Sequence, residues 1–537
     1  MLTIVLSSII KVPGATTTPS ETTFATAAEH GRLSAEAYRR CVRYVDAWLA
    51  HADPSTGLIP RNLRESRDFW NGRDSGADNY AFMVLTAAMT DRSRLLPRLL
   101  DILRTERRLT ARRDHLCDDY SFSKQAWRRE TFDLDATIFD SAEYVKDGLL
   151  PITEWLGKSP WSDRAREIID DIWKNAAIPT PSGLIPTLNF EVNGDLLQSC
   201  SRLYWFTGKT RYREWAERLG DFYLLSTNHP TRNLKQLRLR DHGGEVVNGL
   251  TELYVILRQN GSAKADAYRG PLLEILDRIL RDGSNSDGLL YDWIEPSTGR
   301  HANTLADTWG YVMNGHYTVH LLDHAPAYRD AVVRALNCLE SGYSNHRWEG
   351  DSADGYADAL EGGLNLLNRE PVDSAARWID TEIQRMWSKQ QPDGIIEGWH
   401  GDGNFARTSL MYALWKTQGL TLEPWREDTR LGVVRRDDHL LISITSEKPW
   451  RGRLIPDRPR HRENLQLPLD YPRINQFPEW FTVERTGSWD IEGLPNRPLL
   501  KVDAATLRRG IPITLAAGHE LRLHLRPQDS KHPWQRE

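Results

Sequence analysis

From Leu33 to Leu420 the chain alternates between two kinds of segment, both with apolar residues at intervals of three and four. One kind, at 35–50, 92–108, 161–175, 264–281 and 371–388, sets an apolar stripe against abundant charge. That is the pattern of an outer helix with one face in water. The other kind, near 78–90, 133–147, 194–207, 243–258, 305–322, 352–367 and 404–418, is richer in Gly, Ala and aromatic residues, as inner helices should be. The two kinds together predict about fourteen helices, or six or seven hairpins. After Trp425 the period falls to two. Leu431 to Thr445, Trp480 to Val483 and Leu521 to Leu525 alternate apolar and polar residues, with Pro and Gly between them, predicting about eight short strands.

One local phrase recurs through the helical part. Thr56-Gly57-Leu58-Ile59-Pro60 returns as Ser182-Gly183-Leu184-Ile185-Pro186, and more loosely at Asp287-Gly288-Leu289-Leu290-Tyr291 and Asp393-Gly394-Ile395-Ile396-Glu397. The glycines are 126, 105 and 106 residues apart. Each phrase follows an amphipathic segment and leads through a polar loop into another helix, as a connection crossing one face of a ring requires. The predicted fold class is mainly α: an (α/α)6–7 toroid of helical hairpins with a small C-terminal antiparallel β-sandwich. The predicted boundaries are 1–30 for an N-terminal segment, 31–427 for the toroid, 428–527 for the sandwich and 528–537 for a tail.

Composition narrows the function. A chain of 537 residues with a formal charge of −5 has no basic stripe, which argues against a nucleic-acid partner. Mean hydropathy is −0.56, and no apolar run reaches the ~18 residues that a spanning helix needs. Met1 to Ile10 is apolar and is followed by Lys11 and a Thr/Pro/Ser-rich stretch to about Ala28. This reads as the end of an export signal lacking its positive n-region, or as a misassigned start, so export and a cytoplasmic location both stay open. Cys41, Cys117, Cys200 and Cys338 lie far apart without a CxxC pair, which predicts free thiols and no cysteine-based zinc site. Twenty Trp and eighteen Tyr point to packing and to flat faces that stack on sugar rings.

The densest polar clusters fall where inner helices begin, positions at which a helix favours carboxylates. The first runs Trp70-Asn71-Gly72-Arg73-Asp74-Ser75-Gly76-Ala77-Asp78-Asn79-Tyr80. The fourth inner helix opens with Asp241-His242-Gly243-Gly244-Glu245, and Asn248 follows on the same face. The fifth carries Asp307, Trp309, Tyr311 and Asn314, and the sixth Asp354, Asp358 and Glu361 at helical spacing. The seventh has Glu397-Gly398-Trp399-His400-Gly401-Asp402-Gly403-Asn404, then Arg407. Asp78 and Asp307 also stand where N-caps stand. Asp354, Asp358 and Glu361 fit a solvated stripe as well, and His242 fits a core histidine. The last cluster has two aromatic rings and an arginine that a plain turn does not need.

At these residues, over about 30–525, the chain resembles the six-hairpin glycosidase superfamily and the polysaccharide lyases that share α/α toroids and C-terminal β domains. The resemblance implies an oligosaccharide or polysaccharide in the central cleft, often one bearing uronic acids. Two chemistries suit such a cleft. Hydrolysis needs a carboxylic acid and a second carboxylate as base or nucleophile. Asp78, Glu245, Asp307 and Asp402 supply them, with His242 beside them, and Trp70, Trp309 and Trp399 offer stacking faces. Asp74, Tyr80 and Glu361 join the expected sugar-binding set. β-Elimination would use His242, Asn248, Tyr311, His400, Asn404 and Arg407. A third option, epimerisation, would use His242 and His400 from opposite sides, and a glycan-binding protein without catalysis is a fourth. Acids outnumber lyase-type bases, so glycoside hydrolysis is the expected activity. No metal motif and no cofactor is expected from the spacing, although calcium held by loop carboxylates stays open. In the β domain, Arg458 to Arg462 and Leu469 to Trp480 predict an ordered loop that docks the domain or completes one edge of the cleft.

Overall fold

The computed structural model describes residues 21–495 and 497–528. The apolar stretch Met1 to Ile10, the residues from 11 to 20 and the tail from 529 onward lie outside the described residues. Residues 21–30, expected in the N-terminal lead-in, are the opening turns of helix α1 (Glu21–Ala50).

Among the described residues, seven inner helical segments alternate with seven outer ones. The outer set is α1, α3 (Arg92–Thr110), α6 (Pro160–Lys174), α8 (Thr210–Leu224), α10 (Lys264–Asp282), α12 (Pro326–Tyr343) and α14 (Asp373–Trp387). The inner set begins with α2 (Ala81–Met89), entered through a wide π-helical turn at Gly72–Tyr80. Next come α4 (Leu134–Glu143) and α5 (Leu150–Leu156), joined by a second π-helical turn, Tyr144–Leu149. Then follow α7 (Phe190–Thr207), α9 (Glu245–Gln259), α11 (Trp309–Asp323), α13 (Ala353–Leu367) and α15 (Gly401–Thr417). Each inner segment packs on the next, and α15 returns to α2 and its entry turn, so the ring closes on seven hairpins. The expectation of six or seven thus resolves to seven.

The two kinds of sequence pattern have their physical counterpart. α6 buries one stripe, including Trp161, Ala165, Ile168, Ile169 and Ile172, whereas every residue of α9 from Glu245 to Leu257 is buried. An inner helix covered on all sides has little room, and glycines supply it. A Cβ on Gly310 would run into the Cα of Gly362, so α11 and α13 approach backbone to backbone. The repeated phrase works as a connection: Gly57, Gly183, Gly288 and Gly394 all have positive φ, at 74°, 117°, 93° and 98°, where a side chain is disfavoured.

The β module is a sandwich of eight strands among the described residues. One sheet has the order β1 (Thr421–Glu423), β4 (Trp450–Ile455), β7 (Ile511–Leu515). The other has the order β2 (Thr429–Arg436), β3 (His439–Ser446), β8 (Leu521–Pro527), β5 (Ser488–Leu494), β6 (Arg497–Asp503). All pairings are antiparallel, and Val433, Ile442, Trp489, Ile513 and Leu523 meet between the sheets. Trp480 to Val483, expected as a strand, is instead the end of a long connection whose sheet contact is a single bridge between Asp457 and Thr482. The sandwich docks on the ring through α1: Ser34 donates to the Leu431 carbonyl at 2.6 Å, and Gly31 lies against Gly432.

Candidate active site

Because the inner helices run parallel, their starts share one end of the ring, and the polar clusters of distant sequence meet there. On the side built by α11, α13 and α15 they form one continuous network. Tyr311 donates its hydroxyl to Glu361 at 2.6 Å and to Asp358 at 2.9 Å. Arg407 reaches Asp358 at 2.6 Å, Glu361 at 3.0 Å and Asn404 at 3.0 Å, and Asn404 donates to Asp354 at 2.8 Å. Across the mouth, the Nδ1 of His400 lies 3.1 Å from Asp74, which also takes Arg61 at 2.7 Å and the amide of Asn71.

The charges of this arc follow from burial and from crowding. Burial pushes the Asp307 carboxyl up to about 8, reinforced by the neighbouring Asp358 and opposed by Arg240. The same two causes, burial and then Asp358, lift Asp354 to about 7. Burial opposes the charge of His400, but its hydrogen bond to Asp74 and the nearby Asp78 and Asp354 outweigh that and raise it to about 9. Burial alone would raise Asp74, yet His400, Arg61 and Asn71 hold it well below the carboxylate range. Near neutral pH Asp307 therefore keeps its proton and Asp354 stands near its midpoint, beside the Arg407-paired Asp358, an arrangement suited to general acid–base chemistry.

The side built by α4, α7 and α9 is different. Lys146 is fully buried and binds Glu245 at 2.6 Å and Asp147 at 2.6 Å, with Asp195 at 3.7 Å. Burial disfavours its charge, but Asp147, Glu245 and Asp195 raise it well above the usual lysine range. Gln198 completes Glu245. Both π-helical turns serve these sites: one carries Asp74 and Asp78, the other Lys146 and Asp147, and the two pack together. Wide turns of this sort re-aim side chains that a regular helix would direct elsewhere.

Several expected site residues sit elsewhere. Asp402 is fully buried behind the mouth and accepts the backbone N–H groups of Ile396, Glu397 and Gly398 at 2.7–3.1 Å and the Trp48 indole at 2.9 Å. It caps the loop that leads into α15. Trp70 is core, edge-on to Tyr144 at 5.9 Å, and Trp309 is wholly buried, so neither offers a stacking face. Tyr80 points into the hairpin layer, donating to the Leu99 carbonyl and accepting from Trp161, each at 2.8 Å. Asn248 bonds back to Gly244 at 3.1 Å within its own helix. Trp399 does lie at the mouth, half-buried, 4.3 Å from His400 and tied to Glu397 at 2.7 Å. Asp78 is half-buried in the first entry turn. His242 falls in the turn Asp241–Gly244, and its side chain lies outside the described residues.

Sequence reasoning passed over Lys146, Asp147 and Asp195. Their signal is a lysine and two acids inside segments too small and apolar to be solvated faces. Among the described residues, two groups of acids and histidines come within 4.8 Å of one another: Asp241 with Asp307 and Glu349, and His461 with Asp470 and Glu479. In the first, Arg240 binds Glu349 at 2.9 Å and lies 3.6 Å from Asp307. In the second, Arg369 takes Asp470 at 3.1 Å. Arginine already compensates these carboxylates where a cation would sit. No described helix is long and apolar enough to cross a membrane.

No protein-family model and no curated protein matches the chain. Solved structures of similar fold include an inactive variant of the alpha-1,6-mannanase of Salegentibacter sp. in complex with alpha-1,6-mannotetrose. It is 9% identical over 70% of this chain and 98% of that one, with a TM-score of 0.41. A family 76 glycoside hydrolase (mannosidase) from Bacteroides thetaiotaomicron is 11% identical over 71% and 99% of the two chains, with a TM-score of 0.38. A cellobiose 2-epimerase from Bacillus thermoamylovorans is 12% identical over 57% and 87%, with a TM-score of 0.39. The similarity is one of fold.

Proposed function

We propose that this chain is a carbohydrate-active enzyme, a glycoside hydrolase whose acid and base are drawn from Asp307, Asp354 and Asp358. The observation that carries the reading is the charge pattern of the arc. Burial, reinforced by the neighbouring Asp358, raises Asp307 to about 8 and Asp354 to about 7, and Asp358 is paired with Arg407 at 2.6 Å. A protonated carboxyl can donate to a leaving glycosidic oxygen, while an ionised neighbour activates water or attacks the sugar directly. Trp399 and His400 at the mouth supply a flat face and a cation for positioning.

The same geometry weakens the other chemistries. β-Elimination needs an arginine or asparagine free to hold the substrate carboxylate, but Arg407 is spent on Asp358, Glu361 and Asn404. Its base would be Tyr311, whose phenol is buried and donates to two carboxylates, which keeps its proton far above the tyrosine range. Proton exchange by His400 requires an unprotonated imidazole, whereas this one keeps its proton to about 9.

The test is incubation with a panel of neutral and uronate-bearing oligo- and polysaccharides, read by reducing ends and by ultraviolet absorbance of unsaturated sugars. New reducing ends without that absorbance are expected. Both signals together would establish elimination, and a changed sugar with no new ends would establish isomerisation.

A further inference from the structure

The connection between β4 and β5 runs from residue 457 to 483 and crosses the end of the ring opposite the mouth. It touches the C-terminal half of inner helix after inner helix. Asn464 donates to the Glu154 carbonyl at 2.7 Å, and Tyr471 to Glu252 at 3.0 Å. Thr318 reaches the Pro472 carbonyl at 3.5 Å, Asn368 the Glu479 carbonyl at 3.3 Å, and Trp480 lies 5.9 Å from Trp415. Arg473 is buried on Glu154, and Leu465, Leu467 and Tyr471 pack with Val255, Phe206 and Leu321. This strap is anchored too heavily to be a mobile linker.

The strap residue that reaches the candidate site is Asn475, which is 3% exposed and takes φ +59°, a left-handed conformation that Asn tolerates better than most residues. Its backbone N–H donates to Glu361 at 2.6 Å, its Nδ2 to Asp147 at 2.6 Å, and its Oδ1 accepts Arg407 at 3.0 Å. The side-chain amide offers a donor to Asp147 and an acceptor to Arg407 from one planar group. Asp147 in turn binds Lys146, and Arg407 binds Asp358, so Asn475 is the link between the two sides of the ring.

We propose that Asn475, delivered by the β domain through the 457–483 strap, is a positioning residue of the ring's active site that fixes Arg407 and Asp147. The inference rests on the hydrolase reading for its effect on turnover, because the residue acts through Arg407 on Asp358 and touches no reacting atom. It makes the β domain part of the catalytic apparatus, beyond a docked module. Substitution of the side chain acts first on Asp147 and Arg407, and through Arg407 on Glu361, which keeps the backbone N–H of residue 475. Glu361 faces Tyr311 from α11, Arg407 from α15, Asp358 on its own helix and Asn475 from the strap, with Asp147 and Lys146 on the far side of Asn475.

The experiment compares full-length Asn475→Ala, Asn475→Asp and Arg462→Ala, the last an exposed strap residue paired with Glu484. Thermal unfolding verifies each fold, and the near-isosteric Asn475→Asp reports should the alanine variant not fold. Both Asn475 variants are expected to lose about a hundredfold in kcat, the scale of a small misplacement of a reacting group, with KM held within about threefold. Their pH–rate curves should be displaced, while Arg462→Ala behaves as wild type. A folded Asn475 variant with unchanged kcat and an unchanged pH–rate curve overturns the proposal. If the wild-type chain hydrolyses nothing, the hydrolase reading has failed. The positioning role is then decided by infrared titration of the protonated carboxyls: an altered titration in the Asn475 variants supports it, and an identical one overturns it.

Discussion

The two sides of the ring hold similar residues in different surroundings. On one side Glu245, Asp147 and Asp195 surround Lys146, and the buried lysine cancels much of their charge. On the other, Asp358 and Glu361 share Arg407, Asp307 lies nearest Arg240, and Asp354 takes the amide of Asn404, with burial and then Asp358 raising Asp307 to about 8 and Asp354 to about 7. Both sets stand at or near inner-helix starts. What separates them is access: Asp354 and Asp358 are partly exposed, whereas Lys146 and its three acids are wholly buried, so the first set is expected to do chemistry and the second to hold the fold.

The sharpest way to break this contrast is to neutralise one acid on each side. Asp358→Asn should act mainly on turnover, cutting it about a thousandfold, within the range of general acid–base contributions, with a stability cost limited by Glu361, which stays on Arg407. Glu245→Gln should do the opposite: it leaves Lys146 short of a partner and should cost about 3 kcal/mol of stability, the scale of a broken buried pair, read by denaturant unfolding. If Glu245→Gln instead abolishes turnover in a stable protein, the lysine-held side is catalytic and the contrast is wrong.

A smaller effect is expected at Asp402, which the sequence places in the cleft and the structure places under a loop. Asp402→Asn should weaken several charge-assisted bonds, at about 2 kcal/mol, and leave the turnover of the remaining folded protein near wild type. Smaller still is the pH dependence of stability at the mouth. The folded His400 has its imidazole raised from 6.5 to about 9, so its contribution is complete below pH 6.5 and is lost as pH rises through about 9. Asp307 and Asp354, raised to about 8 and about 7 from 3.8, act with the same sign over pH 4–8. The melting temperature should fall from pH 6.5 to 9, and His400→Gln should flatten the upper part of that fall. The smallest expected effect is that of EDTA, which should leave activity unchanged. A loss restored by one divalent ion would make Asp241, Asp307 and Glu349 metal ligands.

The ring was legible because its cause is local. Apolar period, the repeated Gly-Leu-Ile-Pro phrase and the small residues of the inner helices each depend on neighbours a few positions away. The outer helices α8 and α12 were the exceptions, and the reading from Leu33 onward missed where α1 begins. Within the site, His400, Asn404, Arg407 and Tyr311 were legible as polar residues on segments otherwise built for burial. Asp402 misled because a cap and a catalytic acid look alike in a Trp/His/Gly-rich turn, and only the direction of its bonds separates them. Trp70, Trp309 and Tyr80 misled because an aromatic beside a polar cluster can face either way from its helix. Asn475 lies within Leu469 to Trp480, the stretch the sequence marks as an ordered docking loop or cleft edge, but nothing in it singles out the one residue whose partners lie 68, 114 and 328 positions away.

The measurement that bears most directly on the central claim is the pH–rate curve of the wild-type chain beside that of Asp307→Asn and Asp354→Asn. The wild-type curve should be bell-shaped, with an alkaline limb between about 7 and 8, where these carboxyls lose their protons. One of the two variants should lose that limb along with most of its rate. Two variants with wild-type rates and intact alkaline limbs would contradict the account.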